Sequence, residues 1–141
     1  MASTNLACDI VTPEKRVYTS EATFVALPAS DGEMGVMPKH VPLVSTLGAG
    51  EVRITLPDNS KEYFAISGGY VQIRPDDKII VLANRAIAVG DIDLEAVEGE
   101  IGELSLKIDQ LDQREKTEGR AFLVNQLNWA KTEKDIATRK H

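Results

Sequence analysis

Apolar and polar residues change their rhythm near residue 90. Before it, short apolar runs alternate in steps of two or are cut by turn formers. Leu6 to Val11 predicts a first strand, Thr12-Pro13-Glu14-Lys15 a turn, and Arg16 to Tyr18 a short strand pairing back. Ala22 to Leu27 predicts a third strand, stopped by Pro28, because proline has no N–H to give to a ladder. Residues 31–54 concentrate Gly32, Gly35, Pro38, Pro42, Gly48 and Gly50, so several backbone reversals are expected there without a helix. Val52, Ile54 and Leu56 then alternate with Arg53 and Thr55, the period of a half-buried strand. Val52–Leu56 and Glu62–Ser67 flank Pro57-Asp58-Asn59-Ser60, which predicts a hairpin. Tyr70–Arg74 and Lys78–Arg85 flank Pro75-Asp76-Asp77, which predicts a second. Ser67-Gly68-Gly69 reads as a turn between strands. Ile79 to Ala83 is apolar at every position, so both of its faces are expected to be covered.

After Gly90 there is no proline, and Glu, Lys, Leu and Gln take over. Asp91 or Asp93 is placed to cap a helix. Leu94, Val97, Ile101, Leu104, Ile108 and Leu111 follow at alternating spacings of three and four, a narrow seam facing one partner helix. Asp112 and Glu115 form a candidate capping box for a second helix. The helices are expected near 93–108 and 113–138. On the second, Leu123, Val124, Leu127, Ala130 and Ala137 share one face, while Phe122, Trp129 and Ile136 share another. The first face suits the partner helix; the second, with the single Trp, implies a further contact, either permanent or exchanged. Gly99 and Gly102 weaken the first helix by about 1 kcal/mol each relative to Ala. They either let the helices approach closely or keep the hairpin marginal. The fold expected is mainly β plus α: an N-terminal β-sandwich (flattened barrel) over 1–89, then a C-terminal antiparallel two-helix hairpin over 90–141.

Composition narrows the functions. In 141 residues the net charge is −6, which disfavours nucleic acid, since phosphate binding needs clustered cations. Aromatics are 5%, so the core is expected to be aliphatic. No apolar run approaches the roughly 20 residues that span a bilayer, and the first residues do not read as a signal peptide. Cys8 is alone and strand-like, which predicts a buried, inert thiol. No P-loop and no Gly-x-Ser-x-Gly motif occurs. With only His40 and His141 as histidines, neither a zinc site nor a catalytic cluster is expected. No cofactor is expected.

Two motifs carry a resemblance. Gly32-Glu33-Met34-Gly35-Val36-Met37-Pro38-Lys39-His40-Val41-Pro42-Leu43 resembles the signature loop of the ε subunits of bacterial F-type ATP synthases, where Gly-Glu-Leu-Gly-Ile-x-Pro-Gly-His-Ala-Pro-Leu recurs. Ser67 to Pro75, followed by Val81-Leu82-Ala83, is similar to the family's second motif. The resemblance implies a non-catalytic subunit of the rotating central stalk, peripheral on the cytoplasmic face of the cell membrane and membrane-associated only through the complex. It implies that the β-domain binds the γ subunit and the c-ring through a loop containing Glu33, Met34, Gly35 and His40. It implies that the helices reach the α and β subunits when extended and oppose hydrolysis, with Lys131, Lys134, Arg139 and Lys140 forming a basic end. Some members bind ATP on the helices. Here Ala96 and Glu103 stand where that motif has arginines and Glu100 where it has alanine, so ATP binding in that manner is not expected. Two other classes are open: a free nucleotide-sensing regulatory module, which the missing arginines disfavour, and a small enzyme on a β-sandwich, which the absent catalytic cluster disfavours.

Overall fold

The computed structural model describes residues 5–111 and 118–139. Contacts divide the chain into two units, Met1–Ala88 and Val89–His141.

The first unit is one sheet folded over its own core. Its strands are β1 (Leu6–Val11), β2 (Arg16–Ala22), β3 (Phe24–Ala29), β4 (Gly32–Val36), β5 (Leu43–Thr55), β6 (Lys61–Arg74), β7 (Lys78–Ala83) and β8 (Ala86–Ala88). The order is β2-β1-β7-β6-β5-β3-β4, with β8 paired to β6. All pairs are antiparallel except β1 with β7. The two long strands serve both layers of the sandwich. The second half of β6, from Gly69 to Arg74, pairs with β7; its first half pairs with β8 at Phe64–Ile66.

Side chains from both halves meet in a single core. Leu6, Cys8 and Ile10 of β1, Val71 and Ile73 of β6, and Ile79 and Val81 of β7 share it with Val25, Leu27, Val36, Val52, Ile54, Phe64 and Ile66. Tyr18 of β2 leans on Phe64, ring centroids 4.7 Å apart, an aromatic contact in a mostly aliphatic core.

The corner between the layers departs from the turn-rich expectation. Gly48, Gly50, Ser67, Gly68 and Gly69 lie inside strands, not in turns. The β6 side chains in the core cluster are Phe64 and Ile66 before the corner and Val71 and Ile73 after it, so the inward parity switches there. Gly68 and Gly69 have φ of 109° and 148°, and a Cβ on Gly69 would lie 2.0 Å from the Leu82 carbonyl oxygen. Only glycine passes this point. Pro28 also fails to stop its strand. The β3–β5 register breaks between Ala26 and Ala29, so the proline sits at an irregularity where the ladder does not ask for its missing N–H. Strand β7 alternates, with Ile79, Val81 and Ala83 buried but Leu82 45% exposed, so one face is open rather than both covered. The loops Pro57–Ser60 and Pro75–Asp77 do turn hairpins, helped by left-handed Asn59 and Asp77.

The second unit begins with a short 3-10 turn, Val89–Asp91, followed by α1 (Leu94–Gln110) and α2 (Glu118–Thr138). Asp93 caps α1, its carboxylate accepting from the Ala96 N–H at 3.1 Å. Val97 and Leu104 of the seam are buried and Leu94, Ile101 and Ile108 half-buried, facing α2, with which α1 packs. The candidate capping box at Asp112 and Glu115 lies outside the described residues.

Cys8 is fully buried, and burial, with the neighbouring Asp9 charge adding, pushes its thiol from 9.0 up to about 12. The unfolded chain therefore loses this proton near pH 9 while the folded chain keeps it. Stability from this group is fully present below pH 9 and is lost as pH rises toward 12, by up to about 1.4 kcal/mol per pH unit. Denaturant melts from pH 8 to 10.5 should show a decline in the wild type that is reduced in Cys8→Ala.

Candidate interaction surface

Residues 30–42 form a hairpin edge and a pinned loop. The β3–β4 hairpin turns through Ser30 and Asp31, and the Ser30 and Thr46 hydroxyls bond at 2.7 Å, tying the turn to β5. Strand β4 is the end of the sheet, with β3 its one neighbour. Glu33 and Gly35 point outward from it; Met34 and Val36 point inward, and Met34 packs on the core. Gly35 is shaped by packing: a Cβ there would come within 2.8 Å of the Phe24 ring. Glu33 is exposed, but its Oε1 accepts from Arg53 Nη2 at 3.1 Å, so the edge carries an ion pair rather than an isolated anion. Exposed pairs of this kind contribute about 0–1 kcal/mol.

Past β4 the chain makes a tight turn, closed by the His40 N–H donating to the Met37 carbonyl at 3.2 Å. Pro38 takes the second position, and Lys39 the third with φ of 66°. The Lys39 N–H donates to Asp77 Oδ1 at 2.7 Å, which fastens the loop to the β6–β7 turn. His40 is half-buried, and its Nδ1 bonds the Val41 carbonyl at 2.7 Å, leaving Nε2 for an outside partner.

Alongside lies a surface that the turn-based reading of the sequence passed over. On the outer face of the sheet Thr46, Tyr70 and Leu82 stand in one cross-strand row, and Val44, Gln72, Ile80 and Asp9 in the next. Val44 is 69% exposed, Tyr70 56% and Leu82 45%. Met37 and Val41 of the loop are also open to solvent. A shallow open depression of about 300 Å³ lies beside them, lined by Pro42, Leu43, Val44, Gln72, Ile73, Arg74 and Pro75. Simple alternation carries the signal: if Val71 and Ile73 face in, Tyr70 and Gln72 face out. Nothing catalytic gathers here. The Ser67 hydroxyl is buried without a hydrogen-bond partner among the described residues, so no base activates it. Among the described residues no group of acids, Cys and His has the arrangement of a metal site.

Residues 5–89 match the family described as ATP synthase, Delta/Epsilon chain, beta-sandwich domain. The chain belongs to this family. The match takes in every strand of the sandwich. Curated relatives agree. The ATP synthase epsilon chain of Delftia acidovorans is 39% identical over 90 residues, 64% of this chain and 64% of that protein. That of Stenotrophomonas maltophilia is 42% identical over 88 residues, 62% of each. The matched stretch thus spans less than two thirds of these relatives' own length. Among solved structures, a chain in a cryo-EM structure of the Euglena gracilis mitochondrial ATP synthase, OSCP/F1/c-ring, aligns with a TM-score of 0.76 at 17% identity, over 96% of this chain and 83% of that one. A chain of the Tetrahymena thermophila mitochondrial ATP synthase central stalk and c-ring gives a TM-score of 0.56 at 13% identity, over 98% of this chain and all of that one. At these identities the likeness is one of fold.

In the helical unit the face of Phe122, Trp129 and Ile136 is not uniform. Phe122 is 58% exposed, Trp129 half-buried and Ile136 fully buried. Of the cations toward the end of α2, Lys134 pairs with Glu98 of α1 at 3.8 Å and Arg139 with Asp135 at 2.7 Å. Lys131 is exposed, and Lys140 lies outside the described residues. Ala96, Glu100 and Glu103 are exposed on α1. Among the described residues no helix is long and apolar enough to cross a membrane.

Gly99 and Gly102 have open space where a Cβ would go, so the close-approach explanation for them fails. They lower the helical stability of α1 and gain no contact among the described residues in return. Gly99→Ala and Gly102→Ala should each stabilise the helical unit by about 1 kcal/mol, read as slower amide exchange across α1 in the full chain.

Proposed function

We propose that this chain is an ε subunit of the central stalk of an F-type ATP synthase, acting without catalysis of its own. Its β unit binds the γ subunit and touches the c-ring, so that rotation stays coupled to proton transport. Its helical unit opposes ATP hydrolysis by reaching toward the α and β subunits. The complex then holds the chain at the cytoplasmic face of a bacterial membrane. The family match over the entire sandwich supports the first part. The observation that carries the contact is the outward apolar patch of Val44, Tyr70 and Leu82, spread over two adjacent cross-strand rows beside the pinned loop. Exposed apolar side chains gathered on one face fit a protein partner better than solvent.

Glu33 fits the c-ring contact as a group held in place by Arg53 rather than as a free charge. The bare packing of Gly99 and Gly102 supports a helical unit that rearranges at low cost. The nucleotide-sensing alternative is weaker, because Glu100 and Glu103 would repel a triphosphate where the ATP-binding motif has alanine and arginine.

Reconstituted ATP synthase tests this directly. Removing residues 91–141 should raise ATP hydrolysis of the complex while the β unit still assembles; unchanged hydrolysis would remove the brake from the proposal. Glu33→Arg places two cations together and should cost the fold at most about 1 kcal/mol. Proton pumping per ATP should nevertheless fall, and unchanged pumping would argue against the c-ring contact.

A further inference from the structure

Lys39 is the least expected backbone of the loop. The third position of a turn with proline second and a positive φ third suits glycine or asparagine, because a Cβ is disfavoured there. Here a lysine adopts φ of 66°. The conformation persists because two neighbours enforce it. Pro38 presets the preceding residue, and the Lys39 N–H is held by Asp77 Oδ1 at 2.7 Å. Asp77 is itself left-handed, φ 56°, and anchored through its carbonyl, which accepts from the Ala7 N–H at 2.9 Å. The clamp uses only the lysine's backbone. Its ammonium makes no ion pair among the described residues, and it is exposed between Met37, 62% exposed, and Val41, 72% exposed. A residue kept in an unfavourable conformation whose charge serves nothing inside the chain points outward.

We propose that Lys39 is a contact residue, held in strained backbone so that its ammonium, flanked by Met37 and Val41, pairs with a carboxylate on the adjoining subunit of the ATP synthase. This rests on the central-stalk reading above. The chemistry suits a protein carboxylate. When the flanking apolar side chains bury against a partner they exclude water around the pair, and a charge pair strengthens as its surroundings dry. The neighbouring His40 directs its Nδ1 back to Val41, so it does not compete for the acid through that nitrogen. A lipid headgroup is the rival occupant. One lysine suffices for a point pair with a carboxylate, whereas attraction to an anionic lipid surface takes a cluster of cations, and the adjacent turn carries Asp76 and Asp77 instead.

The test uses ATP synthase depleted of this chain and measures rebinding of the full-length protein at low and high salt. Lys39→Gly relieves the strain and removes the charge; Lys39→Asn tolerates the left-handed backbone and removes the charge; Lys39→Arg keeps the charge. Lys39→Gly should melt a few degrees higher than wild type yet rebind about tenfold more weakly at low salt, as should Lys39→Asn. The difference should shrink at high salt, and Lys39→Arg should rebind like wild type. Equal rebinding by the neutral variants, with wild type rebinding well, would overturn the inference alone. So would a lower melting temperature for Lys39→Gly, or Lys39-dependent binding to phosphatidylglycerol vesicles. Failure of the wild type to rebind would overturn the central-stalk reading itself.

Discussion

The molecule depends on one steric constraint. Strands β5 and β6 must run through both layers of the sandwich without breaking their ladder, and they do so by bending at glycine. At Gly69 a side chain would collide with the Leu82 carbonyl of the neighbouring strand. At Gly50 it would meet the Pro28 ring at 2.8 Å. The pairing holds through the bend, with Leu47 opposite Gly69 and Ala49 opposite Ser67. This continuity lets a unit of fewer than a hundred residues enclose an aliphatic core with a single sheet. It also leaves β2 and β4 at the two ends of the strand order, and gives the pinned loop its place at the end of β4.

The same glycines explain what could and could not be read beforehand. Turn residues with polar companions were legible: Asp58 and Asn59 close one hairpin, Asp76 and Asp77 another. The caps and seam of α1 were legible too, because Asp93, Val97 and Leu104 stand at positions set by helical geometry alone. Glycines within apolar runs were not legible. Gly48, Gly50, Gly68 and Gly69 have the local chemistry of turns, and only the close approach of Pro28 and Leu82 makes them strand residues. Pro28 hid for the related reason that its N–H is missing where the β3–β5 register slips. Of the site, the Glu33 loop was visible as a motif. Its partners Arg53 and Asp77 were not, since they lie twenty and thirty-eight residues further along and meet it only through the fold.

The two units differ in how tightly they are specified. The β unit has a long register, a dense core and backbone positions that admit one residue type. The helical unit has a narrow seam, with Val97 and Leu104 its buried positions on α1, while Leu106 and Phe122 stand exposed. Its two described interhelix and end-of-helix ion pairs are half in solvent and contribute little. Gly99 and Gly102 subtract helix propensity with no packing return. A domain assembled this way sits low on the stability scale, where rearrangement costs least.

The outward apolar patch cannot be explained by the core. Core packing demands only that Val71, Ile73, Ile79 and Val81 face inward; the alternate positions are free to be polar. Some are: Thr46, Gln72 and Arg74 occupy the same face. Asp9 is there too, but it accepts from the Thr19 hydroxyl at 2.5 Å and lies 3.8 Å from the Lys78 ammonium, so it is satisfied within the sheet and nearly hidden. Thr46 and Arg74 also have partners, the Ser30 hydroxyl and Asp76, so beside Gln72 what this face offers a partner is largely apolar. Val44, Tyr70 and Leu82 fit that description, and they stand where folding alone would have accepted serine or threonine. Their retention on an open face is a cost in solubility with no return in core packing, which the proposed protein contact would offset.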